Sequence, residues 1–116
     1  MISDDAAKRA AMQERIKQLA GEFLQRCLRD LVSSRDLLTR LGNGDTGIYK
    51  ELEYLAHRIC GTGASLGFES LSTCAAAVER LAEAHVGDVT ADQNVAGRLV
   101  EYVAALEMDV DRLIKR

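Results

Sequence analysis

Apolar residues recur every three to four positions along four stretches of this chain, the period of helices that bury one face. In the first stretch, about residues 4–41, Ile16, Leu19, Phe23, Leu24, Cys27, Leu28, Leu31 and Leu38 share a side. The second, about 47–66, carries Ile48, Leu52, Leu55, Ile59, Thr62 and Leu66 at alternating steps of four and three. The third, about 69–84, places Leu71, Cys74, Ala75, Val78, Leu81 and Ala82 on one face. The fourth, about 91–115, uses Val95, Leu99, Val103, Leu106, Val110 and Leu113. Turn signals separate the stretches: LGNGDTG at 41–47, GFES around Gly67, and HVGDVTADQ at 85–93. Thr90 followed by Gln93 reads as a capping box opening the last helix, and Gly87 as the end of the helix before it. Gly21 is a point where the first stretch can divide. The pattern predicts an all-α, antiparallel up-down-up-down four-helix bundle with an additional short N-terminal helix, residues 1–116 forming one domain.

Composition agrees with that picture and removes several function classes. Hydrophobic residues make up 47% and charged residues 28%, which excludes a disordered chain, and 4% aromatics with no proline favour helix over a β-sandwich. A net charge of −3 without a basic face argues against nucleic acid as a partner. No apolar run approaches the ~20 residues of a membrane span, and the first residues hold no apolar signal core. Three cysteines (Cys27, Cys60, Cys74) with no CxxC pair fit a reduced, cytoplasmic protein. Met1 and the length fit a free-standing domain.

The segment LAHRICGTGASLGF, 55–68, departs from ordinary helix composition, with Gly61, Gly63 and Gly67 following His57. Each helical glycine costs about 0.5–1 kcal/mol relative to alanine. On a helical wheel His57 lies opposite the 48/52/55/59/62/66 stripe, and its side carries Lys50, Glu53, Gly61, Ala64 and Phe68. Gly63 and Gly67 lean toward the core stripe and suit packing or a turn. Gly61 does not, and with Ala64 it leaves a bare surface beside an exposed imidazole, as a docking partner would require. Neutral imidazole is a nucleophile at physiological pH. An open helix face lacks the concave pocket of a small-molecule enzyme, so the chemistry suggested is phosphoryl transfer between proteins.

The stretch AHRICGTGASLGFESLSTCAAAVERLAE resembles the signature of histidine-containing phosphotransfer (HPt) domains, AH-x-x-KG-x-x-x-x-x-G, here Ala56, His57, Arg58, Ile59, Cys60, Gly61, five residues, then Gly67. The resemblance implies a phosphorelay intermediate in which His57 takes a phosphoryl group from a receiver-domain aspartate and passes it to a second receiver. It implies as partners the receiver domains of a hybrid histidine kinase and of a response regulator, and no kinase or ATPase activity of its own. It also implies no cofactor or metal on this chain, magnesium belonging to the receiver. The predicted site is therefore His57 as phospho-acceptor, with Lys50, Arg58, Cys60, Gly61, Ala64 and Phe68 as partner-binding residues. One position departs from the family: Cys60 stands where lysine is usual, and Arg58 and Lys50 are candidate substitutes for its charge.

Plainer readings stand beside these. Phe68 is either a core plug at the turn or part of the docking patch. Cys27 and Cys74 read as core packing, and His85 as a residue suited to a helix end. His57 and Cys60 are spaced for a shared metal, with only two ligands visible, and Cys60 is also a possible redox switch. The competing function is a helical adaptor that docks a receiver or kinase and transfers phosphate poorly because Cys60 replaces lysine, or a purely structural adaptor.

Overall fold

The computed structural model describes residues 4–116. Four helices follow in order: α1 (Asp4–Gly42), α2 (Ile48–Ser65), α3 (Glu69–Ala84) and α4 (Gln93–Ile114). Neighbours in sequence pack side by side, α1 closes the ring against α4, and the backbones of the diagonal pairs do not approach one another closely. This is the expected up-down-up-down bundle. The core is aliphatic: Leu31, Leu41, Ile48, Leu52, Ile59, Leu71, Leu99 and Leu106 are all within 2% of complete burial.

The additional N-terminal helix is not a separate element among the described residues. α1 runs unbroken through Gly21, which sits in an exposed stretch where an added Cβ would meet no atom. Glycine weakens a helix without ending it when nothing else demands a turn. At 39 residues α1 is far longer than α4 at 22, and it sets the 67 Å long axis of a molecule only 24 × 18 Å across. Its N-terminal half stands beyond the bundle, so Ile16 and Leu19, expected on the packed side, are 50% and 38% exposed.

Two further expectations are corrected. The α2 stripe drifts: Thr62 is exposed, because a strict 4-3-4-3 repeat lags a 3.6-residue helix by about 20° per heptad, while Gly63 is buried in the packing role expected of it. α4 is capped by Asp92, whose Oδ1 accepts from the Asn94 N–H at 2.8 Å, and the Thr90–Gln93 capping box does not form. Asp92 is adjacent to the first helical residue, so its carboxylate meets the free N–H groups directly.

The end of α2 explains Gly67. The Phe68 N–H donates to the Gly63 carbonyl at 2.8 Å and the Gly67 N–H to Ala64 at 3.1 Å, a Schellman closure. Gly67 takes the left-handed conformation this requires, with φ +84°. The closure turns the chain into α3 and sets the Phe68 ring on Phe23 of α1, centroids 6.2 Å apart.

Candidate functional site

His57 follows the buried Ala56 on α2, and its own side chain is 73% exposed. It is not free to swing. Its Nδ1 lies 2.8 and 3.2 Å from the two carboxylate oxygens of Glu79, one helix away on α3. A carboxylate only accepts, so Nδ1–H donates and the neutral ring carries its lone pair on Nε2. Glu79 is itself only 20% exposed, held at the edge of the α3 face that buries Ala75 and Ala82.

Of the predicted site residues, His57, Arg58 and Gly61 line one open groove of about 260 Å³ between α1 and α2. Gly61 has empty space where a side chain would stand, and Ala64 is exposed one turn further on. Lys50 is exposed two turns before His57, outside this groove. Arg58 points toward α1: its guanidinium lies 5.1 Å from the Tyr54 ring centroid and 3.9 Å from an Asp30 oxygen. Cys60 is half-buried and faces α3, its Sγ 3.3 Å from Ser72 Oγ, while Ser72 donates to the Cys60 carbonyl at 2.9 Å. Phe68 is half-buried and stacks on Phe23, which lines the His57 groove, but does not line that groove itself. Cys27 is buried as expected, and Cys74 only half-buried. His85 caps α3, hydrogen-bonded to Asp88 at 2.8 Å.

Two residues of the site were not singled out from sequence. Glu79 had a usable signal: an acidic residue three and four positions from alanines on the apolar stripe. Arg26 lines the same groove as His57, from α1. It lies three residues after Phe23 and four before Asp30, and only the pairing of α1 with α2 brings it to His57. Among the described residues no group of three or more His, Cys, Asp or Glu is placed to hold a metal ion, and no helix is long and apolar enough to cross a membrane.

An exposed imidazole presented from an antiparallel four-helix bundle, with one nitrogen fixed and small residues alongside, defines a class of phosphoryl-carrier domain. The sequence model of the Hpt domain matches residues 9–114, and the chain belongs to that family. Hpt domains are histidine phosphotransfer modules of phosphorelays that work with receiver domains and carry the group without a kinase activity of their own. No curated protein and no solved structure matches the chain significantly.

Proposed function

We propose that His57 is the phospho-accepting residue of a cytoplasmic phosphorelay carrier, the 116 residues acting as one module between two receiver domains, one of a hybrid kinase and one of a response regulator. The observation that carries this reading is the fixed imidazole: Nδ1 hydrogen-bonded to Glu79, Nε2 turned outward beside the bare Gly61 surface. Nε2 attacks the phosphorus of a receiver aspartyl phosphate, the N–P bond forms as the P–O bond to aspartate breaks, and the aspartate leaves as a carboxylate. The ring becomes cationic while Nδ1 keeps its proton, and Glu79 offsets that charge across the 2.8 Å hydrogen bond. Transfer to the second receiver reverses these steps. Most of the rate comes from alignment in the docked complex, and the magnesium and the basic catalytic side chain are the receiver's.

The missing lysine is answered from α1. Cys60 turns its thiol to Ser72 and brings no charge. Arg58 is drawn toward Asp30. Arg26, in the groove beside His57, is the cation best placed to meet the phosphoryl oxygens. Gly61 and Ala64 form the contact surface, with Lys50 at its edge.

The test is to incubate the protein with a receiver phosphorylated on aspartate and look for acid-labile, base-stable label on this chain. Label that disappears in His57→Gln supports the assignment. A wild-type chain that binds receivers and takes no label establishes the docking adaptor instead, the reading that an uncharged residue at Cys60 favours.

A further inference from the structure

The N-terminal half of α1 has a feature the phosphotransfer site does not use. Met12, Ile16 and Leu19 form a stripe at helical spacings of four and three that runs into Phe23 at the rim of the bundle. Exposure rises along it with distance from the bundle: Phe23 is 8% exposed, Leu19 38%, Ile16 50% and Met12 65%. An amphipathic helix with a stripe of this kind normally lays it against another helix.

We propose that this stripe pairs with the same stripe of a second copy of the chain, forming a two-fold antiparallel helix pair. The bundle itself excludes the parallel arrangement. The face that carries Met12, Ile16 and Leu19 is the face that α2 and the α2–α3 turn cover lower down, from Phe23 onward. A parallel partner on that face would bring its own bundle into the space already filled. An antiparallel partner descends with its N-terminus toward the Phe23–Phe68 rim and keeps its bundle at the far end.

The stop at that rim sets the register, with Met12 of each copy against Ile16 of the other. Charge follows the same register. Lys8 and Arg9 of one copy come within about one turn of Glu22 of the other, within reach of their long side chains, twice by symmetry. Arg9 covers the facing Leu19 with its aliphatic stem while its guanidinium reaches Glu22. Two contacts oppose: Arg15 meets its own copy near the axis, and Asp5 comes level with Phe23 and beside Glu22 of the other copy. A parallel pair would instead stack Asp5 on Asp5 and Arg9 on Arg9 in the seam. The paired length, residues 6–22, is about 25 Å, and a helix face ~10 Å wide gives on the order of 500 Å² over both partners, below the ~1,000 Å² of a durable interface. The dimer is therefore reversible, and it is independent of the phosphotransfer reading.

Sedimentation velocity of the 116-residue chain, over about 10 to 500 µM, reads this directly. The expected result is a monomer–dimer equilibrium. Ile16→Asp raises the dissociation constant about tenfold or more without changing the melting temperature, since Ile16 lies outside the core. Glu22→Lys weakens the dimer, and Lys8→Glu with Arg9→Glu in the same chain restores it. Arg15→Ala tightens it, a sign that a merely sticky apolar helix would not give. A monomer at every concentration overturns the proposal, as does a dimer insensitive to Ile16→Asp. An Arg15→Ala chain that dimerises less well overturns the antiparallel register. Receiver binding weakened by Ile16→Asp in a chain that stays monomeric reassigns the stripe to the receiver.

Discussion

Gly61 and Gly63 lie two positions apart on α2, and substituting each separates stability from docking. At Gly61 an added Cβ meets no atom within 4 Å. At Gly63 it meets Leu71 Cδ2 and Ser72 N at 3.7 Å and Phe23 Cζ at 3.8 Å, ordinary van der Waals contact. Gly→Ala in a helix interior is worth about 0.8–1 kcal/mol where nothing clashes. For 116 residues at roughly 2.1 cal/mol/K each, the unfolding entropy is about 0.24 kcal/mol/K, so each substitution raises the melting temperature by about 4 °C. Gly61→Glu keeps part of that gain, since glutamate is also a better helix former than glycine. Its carboxylate, however, stands one turn from His57 on the face proposed to meet the receiver. The expected outcome is that both alanine variants and Gly61→Glu melt at or above wild type by circular dichroism. In calorimetric titration with a receiver domain, Gly63→Ala binds as wild type and Gly61→Glu binds about tenfold more weakly or worse. A destabilised Gly61→Ala would refute the open-space reasoning. Unchanged receiver affinity in Gly61→Glu would put the docking face elsewhere.

Glu79→Ala is expected to slow phosphoryl transfer to His57 about tenfold, the low end for a hydrogen bond to a charged group. Glu79→Gln, whose carbonyl still accepts from Nδ1–H but carries no charge, should recover only part of that loss in a single-turnover assay; full recovery would mean that ring orientation matters and the charge does not. The Tyr49 hydroxyl is buried with no hydrogen bond of ordinary geometry, only a marginal approach to the Asp92 backbone. Tyr49→Phe should therefore be neutral or stabilising by up to about 1 kcal/mol in urea titrations; a loss larger than that would reveal a real partner. Burial first, and Asp30 second, push the Cys27 thiol up from 9.0 to about 12, so the native state holds a proton that the unfolded chain releases near pH 9. That contribution is complete below pH 9 and falls as pH rises toward 12, by up to about 1.4 kcal/mol per unit. Tyr49, also raised by burial, acts in the same direction. Unfolding free energy measured from pH 8 to 11 should fall less steeply in Cys27→Ala than in wild type.

What could be read from the sequence, and what could not, divides along the helix axis. Properties repeating along one helix were readable: the four stripes, the exposure of His57 opposite Ile48, Leu52 and Ile59, and the turn at Gly67. Errors along a helix were small and had local causes. Thr62 left the core face because the repeat drifts, while Gly63 packs as expected, and the cap moved from Thr90 to Asp92 because only Asp92 adjoins the first helical residue. Gly21 looked like a break because composition reports helix propensity, and propensity alone does not end a helix that continues favourably on both sides.

Relations between helices were out of reach. Glu79 is 22 positions from His57, and Arg26 is 31 residues before it, so neither belongs to any local motif. Lysine at position 60 would place the compensating charge on the same helix as the nucleophile, where a motif can show it. Here the proposed site is split over three helices: imidazole on α2, carboxylate on α3, arginine on α1. A site built that way depends on bundle packing for its electrostatics. Core substitutions that shift α1 against α2, such as Phe23→Ala, would then change transfer through Arg26 while leaving the His57–Glu79 pair intact. Measuring transfer rate in Phe23→Ala and in Phe23→Ala with Arg26→Gln decides it. If Arg26 acts through its position, the second substitution costs little once Phe23 is gone. If the two losses simply add, the groove is not the means by which α1 reaches the nucleophile.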